Sequence, residues 1–409
     1  MKLLVKMAWR NIWRNRRRSL LTVLAVVFAA LLSIAMRGMQ VGTYERNIQN
    51  WVRMSSGYFQ LQREGYESNP TLQQNFAYDE EIRRLLSQEP RIEAFTPRVY
   101  AEGLAAFKQA SLGVAIIGVD LQTEPAVTTL LNRISAGVPP RNADLSAVAL
   151  GQGLARNLGV SVGEEVVLLA QGADGTLGNM KYRVSGLVKT GNPEMDRGVV
   201  IMSLQAAQEL LAMAGRVHAV AVSLRSLQDL PEAASSLRAK VPAAGLTVLT
   251  WEELLPEMRQ HIQMDNISGI LFLGILILIV AFGILNTILM SVTERFREFG
   301  VSLAMGMSSS RLMLVVMLEA MFIALVGLVL GNLLAFLLNT YIVAHPIYLG
   351  KDLESMIQEY GWLPAMYSTL RFHVFFNSSL AILCVTVLSC IYPAYRVWKL
   401  EPIQGMRHV

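Results

Sequence analysis

Four uncharged stretches interrupt this 409-residue chain, and the rest of its pattern is arranged around them. Ser19 to Met36 lies between Arg18 and Arg37, and Ile267 to Thr293 lies between Asp265 and Glu294. Ala320 to Ala344 follows Glu319, and Phe372 to Tyr395 precedes Arg396. Crossing a hydrocarbon core takes about 20 residues at 1.5 Å each, so all four are predicted membrane-spanning helices. A basic start followed by an apolar run also describes a cleaved signal peptide. The first run exceeds a usual signal core, however, and "AMRGMQ" is a poor cleavage site.

Between the first two stretches the period changes. "SGYFQLQRE", "EEVVLLAQ" and "GNMKYRVSGLVKT" alternate as strands do, whereas "DEEIRRLLSQ" and "SLQAAQELLAM" carry helical spacing. Later, "RVHAVAVSL", "DLPEAASSLRAKV" and "GLTVLTW" run strand, helix, strand, and predict a βαβ-like unit closing one lobe. An insert of this length can bury its own core without covalent staples. Both cysteines, Cys384 and Cys390, instead fall in the fourth apolar stretch, where they read as packing residues and not as a disulfide.

Composition agrees. The chain is 53% hydrophobic and only 16% charged, with a mean hydropathy of +0.39, oilier than soluble proteins. Positive charge gathers beside the apolar stretches. Lys2, Lys6, Arg10, Arg14, Arg16, Arg17 and Arg18 precede the first; Arg295, Arg297 and Arg311 lie between the second and third; Arg396, Lys399 and Arg407 follow the fourth. This bias predicts that those flanks, and both termini, are cytoplasmic. The insert from Gly38 to Asn266 holds 20 Lys+Arg against 24 Asp+Glu, so the overall +5 belongs to the membrane flanks and calls for no nucleic acid. In "KLLVKMAWRNIWRNRRRS", Leu4, Met7, Ala8 and Ile12 share one face, with Trp9 and Trp13 nearby, which predicts an interfacial amphipathic helix.

Candidate chemistry is sparse. "GVSVG" (159–163) matches G-x-S-x-G, but a nucleophile elbow needs strand, turn, helix, and here a helix-like segment precedes and a strand-like one follows. His218, His261, His345, His373 and His408 lack metal-ligand spacing, and no G-x-x-x-x-G-K-[ST] phosphate loop occurs. No metal site and no cofactor are therefore expected in this chain, and ATP-driven work would require ATP bound by a partner subunit. In the third apolar stretch Ala320, Ala324, Gly327, Gly331, Ala335 and Asn339 recur every three or four residues, a small-residue stripe for close helix packing whose partner the sequence leaves open. Glu319 sits at its start; a carboxylate at the bilayer centre costs about 2.5 to 3.5 kcal/mol, so an interfacial position or a partner is expected. No further ionisable residues form a relay, which disfavours an ion-coupled carrier. Between the second and third stretches, "ERFREFGVSLAMG" places Phe296, Phe299, Leu303 and Met307 along one side. Glu294 and Glu298 are positioned to pair with Arg297 and Arg295 or with a partner. A short rigid helix beneath the membrane fits better than a solvated turn.

"ILNTILMSVTERFREFGVSLAMGMSSSRLMLVVMLEAMFIALVGLVLG" resembles the signature of FtsX-like permeases, the membrane subunits of MacB-type ABC transporters, in which a charged E-R-x-R-E-x-G stretch precedes A-x-G and E-A. "YPAYRVWKLEPIQGMR" resembles the closing segment of that family, with Tyr395 inserted before Arg396. The resemblance implies an α-helical membrane protein with four transmembrane helices in a 1+3 arrangement. A large α+β extracytoplasmic domain is inserted between the first and second. The implied layout is a basic amphipathic segment at 1–18, spans at 19–40, 265–293, 312–344 and 372–395, the outside domain at 41–264, a cytoplasmic coupling helix at 294–311, an outside loop at 345–371 and a tail at 396–409.

By the same resemblance Glu294, Arg295, Arg297, Glu298, Gly300, Ala304 and Gly306 fall on the segment that docks on an ATP-binding cassette ATPase, and Glu319 matches the glutamate of the family. Ala324, Gly327, Gly331 and Ala335 are the expected helix-packing residues. These 409 residues carry no nucleotide-binding domain, unlike the macrolide-exporter branch, so hydrolysis is expected in a separate subunit and this chain is expected not to be an enzyme. "VALGQGLARNLGVSVGEEVVLLA" and "GNPEMDRGVVIMSLQAAQELL" look most like lipoprotein-releasing (Lol-type) permeases of the cell inner membrane. Expected partners are the ATPase, a second permease copy or homologue, a periplasmic chaperone or adaptor, and membrane lipid. The alternative is an FtsX-like signalling scaffold that activates an extracytoplasmic partner without transport.

Overall fold

The computed structural model describes residues 1–14, 16–241, 245–350, 357 and 362–400. Two compact units result: Met1–Glu45 with Ile262–Tyr348 and Ala365–Val409, and Arg46–His261 with Leu349–Pro364.

The first unit is helical. Its helices, in chain order, are α1 (Lys2–Arg14), α2 (Arg16–Trp51), α3 (Pro256–Glu294), α4 (Phe296–Ala304), α5 (Ser309–Ala344) and α6 (Phe372–Trp398), with the end of α2 from Arg46 and the start of α3 to His261 counted in the second unit. Among the described residues, α2, α3, α5 and α6 are long and apolar enough to cross a membrane. All four outrun the apolar windows of the sequence: α2 continues to Trp51, α3 begins at Pro256, α5 begins at Ser309 and α6 continues to Trp398. Nothing breaks the ladder at those window edges, since polar residues such as Glu45, Arg46 and Glu257 are compatible with helix.

Small and β-branched residues knit these helices. Val26, Ala29, Ala30 and Ile34 of α2 share one core with Ile284, Ile288 and Val292 of α3, Phe299 of α4, Val316, Ala320, Leu328 and Ala335 of α5, and Ile382, Cys390 and Val397 of α6. Between α5 and α6, Asn332 Nδ2 donates to Ser379 Oγ at 2.9 Å, so these two polar side chains satisfy each other inside the bundle. Cys390 is buried on that face and Cys384 is exposed; both are free thiols, so only Cys390 packs as the sequence suggested. The apolar window of α3 is the exception to this packing, with only 6% of it buried. Ile270, Leu271, Ile275, Leu278 and Phe282 are exposed along it, a surface stable only in hydrocarbon or against another apolar face. In the expected 345–371 loop, Ile347–Tyr348 pairs antiparallel with Ala365–Met366; residues 351–356 and 358–361 lie outside the described residues, as do 401–409 of the expected tail and the end of its closing segment.

The second unit is α+β. Its strands are β1 (Phe59–Arg63), β2 (Phe76–Ala77), β3 (Ile92–Phe107), β4 (Ala110–Val119), β5 (Ile134–Gly137), β6 (Ala147–Gly151), β7 (Glu165–Gln171), β8 (Leu177–Val188), β9 (Val199–Ser203), β10 (Arg216–Val217), β11 (Ala219–Leu224) and β12 (Leu246–Thr250). The main sheet runs β12-β1-β11-β3-β4-β9-β6-β8-β5, and β7 pairs with both β3 and β8. Those pairings close β3, β4, β9, β6, β8 and β7 into a ring, while β11, β1 and β12 extend from β3 as an open arm. The long β3–β4 hairpin, β6 and β9 are additions to the elements read from sequence. β6 and β9 are buried throughout, so neither shows alternation, and such runs leave little periodic signal.

The expected βαβ-like unit is split. Both β11 and β12 pair antiparallel with β1, so β1 lies between them and they are parallel to each other. A distant strand thus fills the gap that a local reading closes. Helix Leu230–Arg238 connects the two, burying Leu230, Ala233, Ala234 and Leu237. On β3, where the arm joins the ring, Arg98 is ion-paired with Glu124, both almost fully buried, and Tyr100 Oη accepts from the same guanidinium at 3.2 Å. His218 is equally buried. Its Nδ1 accepts from Tyr100 N–H at 3.0 Å, Nε2 faces Leu72 O at 3.3 Å, and the ring stacks on Tyr66 with centroids 5.2 Å apart.

Candidate functional site

The highest density of paired charge in the first unit lies where α3 gives way to α4. The helix breaks at Arg295, which has φ −103° and ψ 8°. Its guanidinium turns inward to Glu319, with Nη1 at 2.9 Å from Oε2 and 3.1 Å from Oε1. It also lies 4.9 Å from the Phe299 ring centroid and 3.4 Å from Glu298. Asn11 of α1 donates from Nδ2 to Glu319 Oε1 at 2.6 Å. Glu319 is therefore ion-paired and accepts three hydrogen bonds from two partners, the company a buried carboxylate requires.

Two further pairs flank this one. Arg14 is ion-paired with Glu298, and Arg18 binds Glu294 through two contacts of 2.5 Å. The Arg14 hydrogen bond is the main reason the Glu298 carboxyl is held below the usual carboxylate range. Sequence spacing suggested pairing of Glu294 and Glu298 with Arg297 and Arg295, or with a partner. Of those pairs only the long Glu298–Arg295 contact is present, because the N-terminal arginines reach both acids first. A cleft of about 300 Å3 opens between these groups, lined also by Thr22, Thr287 and Ser291.

α4 has two faces. Phe299 and Gly300 are buried, and Phe296, Leu303 and Met307 pack on the helical core. Arg297, Val301, Ala304, Met305 and Gly306 are exposed, Val301 at 43% and Met305 at 78%. Arg297 makes no ion pair with any described residue. Gly306 ends the segment at φ +94°, a left-handed turn that other residues adopt only with strain. The expected amphipathic segment is helical, as α1. Its Ala8 and Ile12 are buried and Trp9 meets Phe322 of α5 edge to face, with centroids 5.6 Å apart. Part of the apolar face thus docks on protein, while Leu3, Met7, Trp9 and Trp13 stay exposed.

The small-residue stripe of α5 faces α2, a partner the sequence did not name. Ala324, Gly327, Gly331, Ala335 and Asn339 are all buried. A Cβ built on Gly327 would lie 2.6 Å from Val26 Cβ, and one on Gly331 2.6 Å from Ala30 Cβ. In the second unit, Ser161 sits where the helix Gln152–Leu158 passes through Gly159 toward β7, an order of helix, turn and strand. No group of three or more His, Cys, Asp or Glu among the described residues could hold a metal ion.

Comparison with known families decides the class. The MacB-like periplasmic core domain family matches residues 19–240, more than half of the chain, and the FtsX-like permease C-terminal family matches 270–402. The chain is an FtsX-like permease with a MacB-like periplasmic core domain. The permease is 23% identical over 333 residues to the lipoprotein-releasing system transmembrane protein LolC of Xylella fastidiosa, covering 79% of this chain and 80% of that one. It is 22% identical to LolE of Haemophilus influenzae, with 97% of each covered. It is 24% identical to the macrolide export ATP-binding/permease protein MacB of Escherichia coli O157:H7, over 88% of this chain and 58% of that one. Within the permease, Glu294, Arg295, Glu298 and Glu319 belong to the FtsX-like segment, whereas Asn11, Arg14 and Arg18 precede both matched segments. Reading by motif therefore missed these three. The signal available was spacing, since Arg14 and Arg18 are four residues apart, as are Glu294 and Glu298.

Proposed function

We propose that this permease subunit relays ATP-driven motion of a separate ATP-binding cassette ATPase through α4 to its MacB-like domain, in the service of lipoprotein release or export of another amphipathic substrate. In this reading α2, α3, α5 and α6 cross the cell inner membrane in a 1+3 arrangement. Both termini and α4 lie in the cytoplasm, and the α+β domain lies in the periplasm. A second permease copy or homologue completes the membrane assembly, covering apolar surface shared with lipid, and a periplasmic chaperone or adaptor receives the substrate.

The observation that carries the reading is the pair Arg295–Glu319, which ties the start of α4 to α5 across the hairpin. Force applied to α4 would thereby reach two candidate spans at once. The docking face is Arg297, Val301, Ala304, Met305 and Gly306. A cation beside exposed Val301 and Met305 suits a groove with an apolar floor and a carboxylate at its rim. Glu294, Arg295 and Glu298, already engaged within the chain, orient the helix; Gly300 lies on its buried face.

The test is co-purification with the ATPase. Arg297→Glu and Met305→Glu should each weaken its capture about tenfold. Undiminished capture by both variants would remove the docking face.

A further inference from the structure

We infer that Asn11, Arg14 and Arg18 are positioning residues of the coupling apparatus: they clasp the joint between α3 and α4 and set the angle at which α4 is presented. The inference rests on the coupling role proposed above, and concerns residues outside both family-matched segments.

The geometry is that of a short two-rung ladder. Arg14 pairs with Glu298 and Arg18 with Glu294, so two basic residues four apart meet two acidic residues four apart in antiparallel order. Between the two acids lies Arg295, where the helical ladder is interrupted and the backbone would otherwise be free to bend. The side chain of Arg295 is drawn the other way, onto Glu319 of α5, and Asn11 closes the circuit by donating to the same carboxylate. The joint is thus tied on both sides, outward to the N-terminal segment and inward to α5. α1 is itself anchored on α5 through Trp9 and Phe322, so the clasp has a fixed footing.

The outer rungs and the inner Arg295–Glu319 pair differ in setting. Arg14 and Glu298 are 56% and 49% exposed, a setting in which ion pairs are weak and readily exchanged. Arg295 and Glu319 are 17% and 14% exposed, a setting in which loss of one partner strands the other. The inner pair acts as the pivot and the outer pairs set its angle. With the clasp closed, a push on α4 moves α5 and α2; with it open, the push is spent in bending at Arg295.

The experiment needs no ATPase. Spin labels at Met305→Cys and Met321→Cys, in a full-length chain carrying Cys384→Ala and Cys390→Ala, report the α4–α5 distance distribution in phosphatidylethanolamine/phosphatidylglycerol nanodiscs. The unaltered clasp should give a narrow distribution. Arg14→Glu with Arg18→Glu should broaden it about twofold, and adding Glu294→Arg with Glu298→Arg should narrow it again. Arg14→Gln with Arg18→Gln introduces no repulsion and should broaden it less; that pair decides the matter if the swapped chain does not fold. An unchanged width in the reversed and neutral chains would overturn the clasp and leave ATPase capture untouched, whereas failed capture would overturn the coupling role and leave these distances standing.

Discussion

At the scale of single residues, ionisable groups in this permease are positioned by what covers them. His218 makes the sign of one pH effect explicit. Burial pushes its pKa down, with the Leu72 carbonyl only partly opposing, so the folded chain resists a proton that the unfolded chain accepts near about 6.5. Between that value and the lower folded one the unfolded state binds more protons, and stability falls as the pH drops through the window. His218→Phe should lessen the loss of thermal stability between pH 7.5 and pH 5; an identical loss in both proteins would contradict the assignment. Side-chain chemistry of this kind was only partly legible in the sequence. The face of Phe296, Phe299 and Leu303 follows from helical spacing, but Glu294 and Glu298 have arginines both beside them and nearly 280 positions away. Spacing cannot choose between local and distant cations, since the choice depends on how α1 docks.

At the scale of elements, close approach of α5 to α2 is set by what Gly327 and Gly331 lack. The Cβ of any larger residue at 331 would meet Ala30 Cβ at 2.6 Å and Val27 O at 3.0 Å, with backbone on one side of the contact. Gly331→Leu should therefore destabilise the helical unit by about 1 to 3 kcal/mol, read as a lowered thermal midpoint in detergent. Gly274→Leu on α3, where a Cβ meets nothing within 4 Å, should change it little. Equal effects at both positions would argue against a close α2–α5 contact. The stripe itself is written in the sequence at intervals of three and four, whereas its partner is not, because every apolar helix offers an acceptable surface. The same limit hid the split βαβ-like unit: β11 and β12 are each recognisable, but insertion of β1 between them depends on pairing across more than 150 residues of chain.

At the scale of the whole molecule, the class was the most legible feature. Four apolar stretches and the charge beside them bound the architecture, and the E-R-x-R-E-x-G segment pointed to the family that residues 270–402 match. The β3–β4 hairpin and the closure of six strands through β7 were not legible, since β3 changes partners along its length, from β11 to β7. In the proposed arrangement a separate ATPase grips α4 while the α+β domain stands on the other side of the membrane. A photo-crosslinking amino acid placed at Met305, and in a second chain at exposed Leu177, tests it directly in cells that contain the ATPase. ATPase should be captured from Met305 and not from Leu177; capture from Leu177, or co-purification of the ATPase without capture at Met305, would rule this arrangement out.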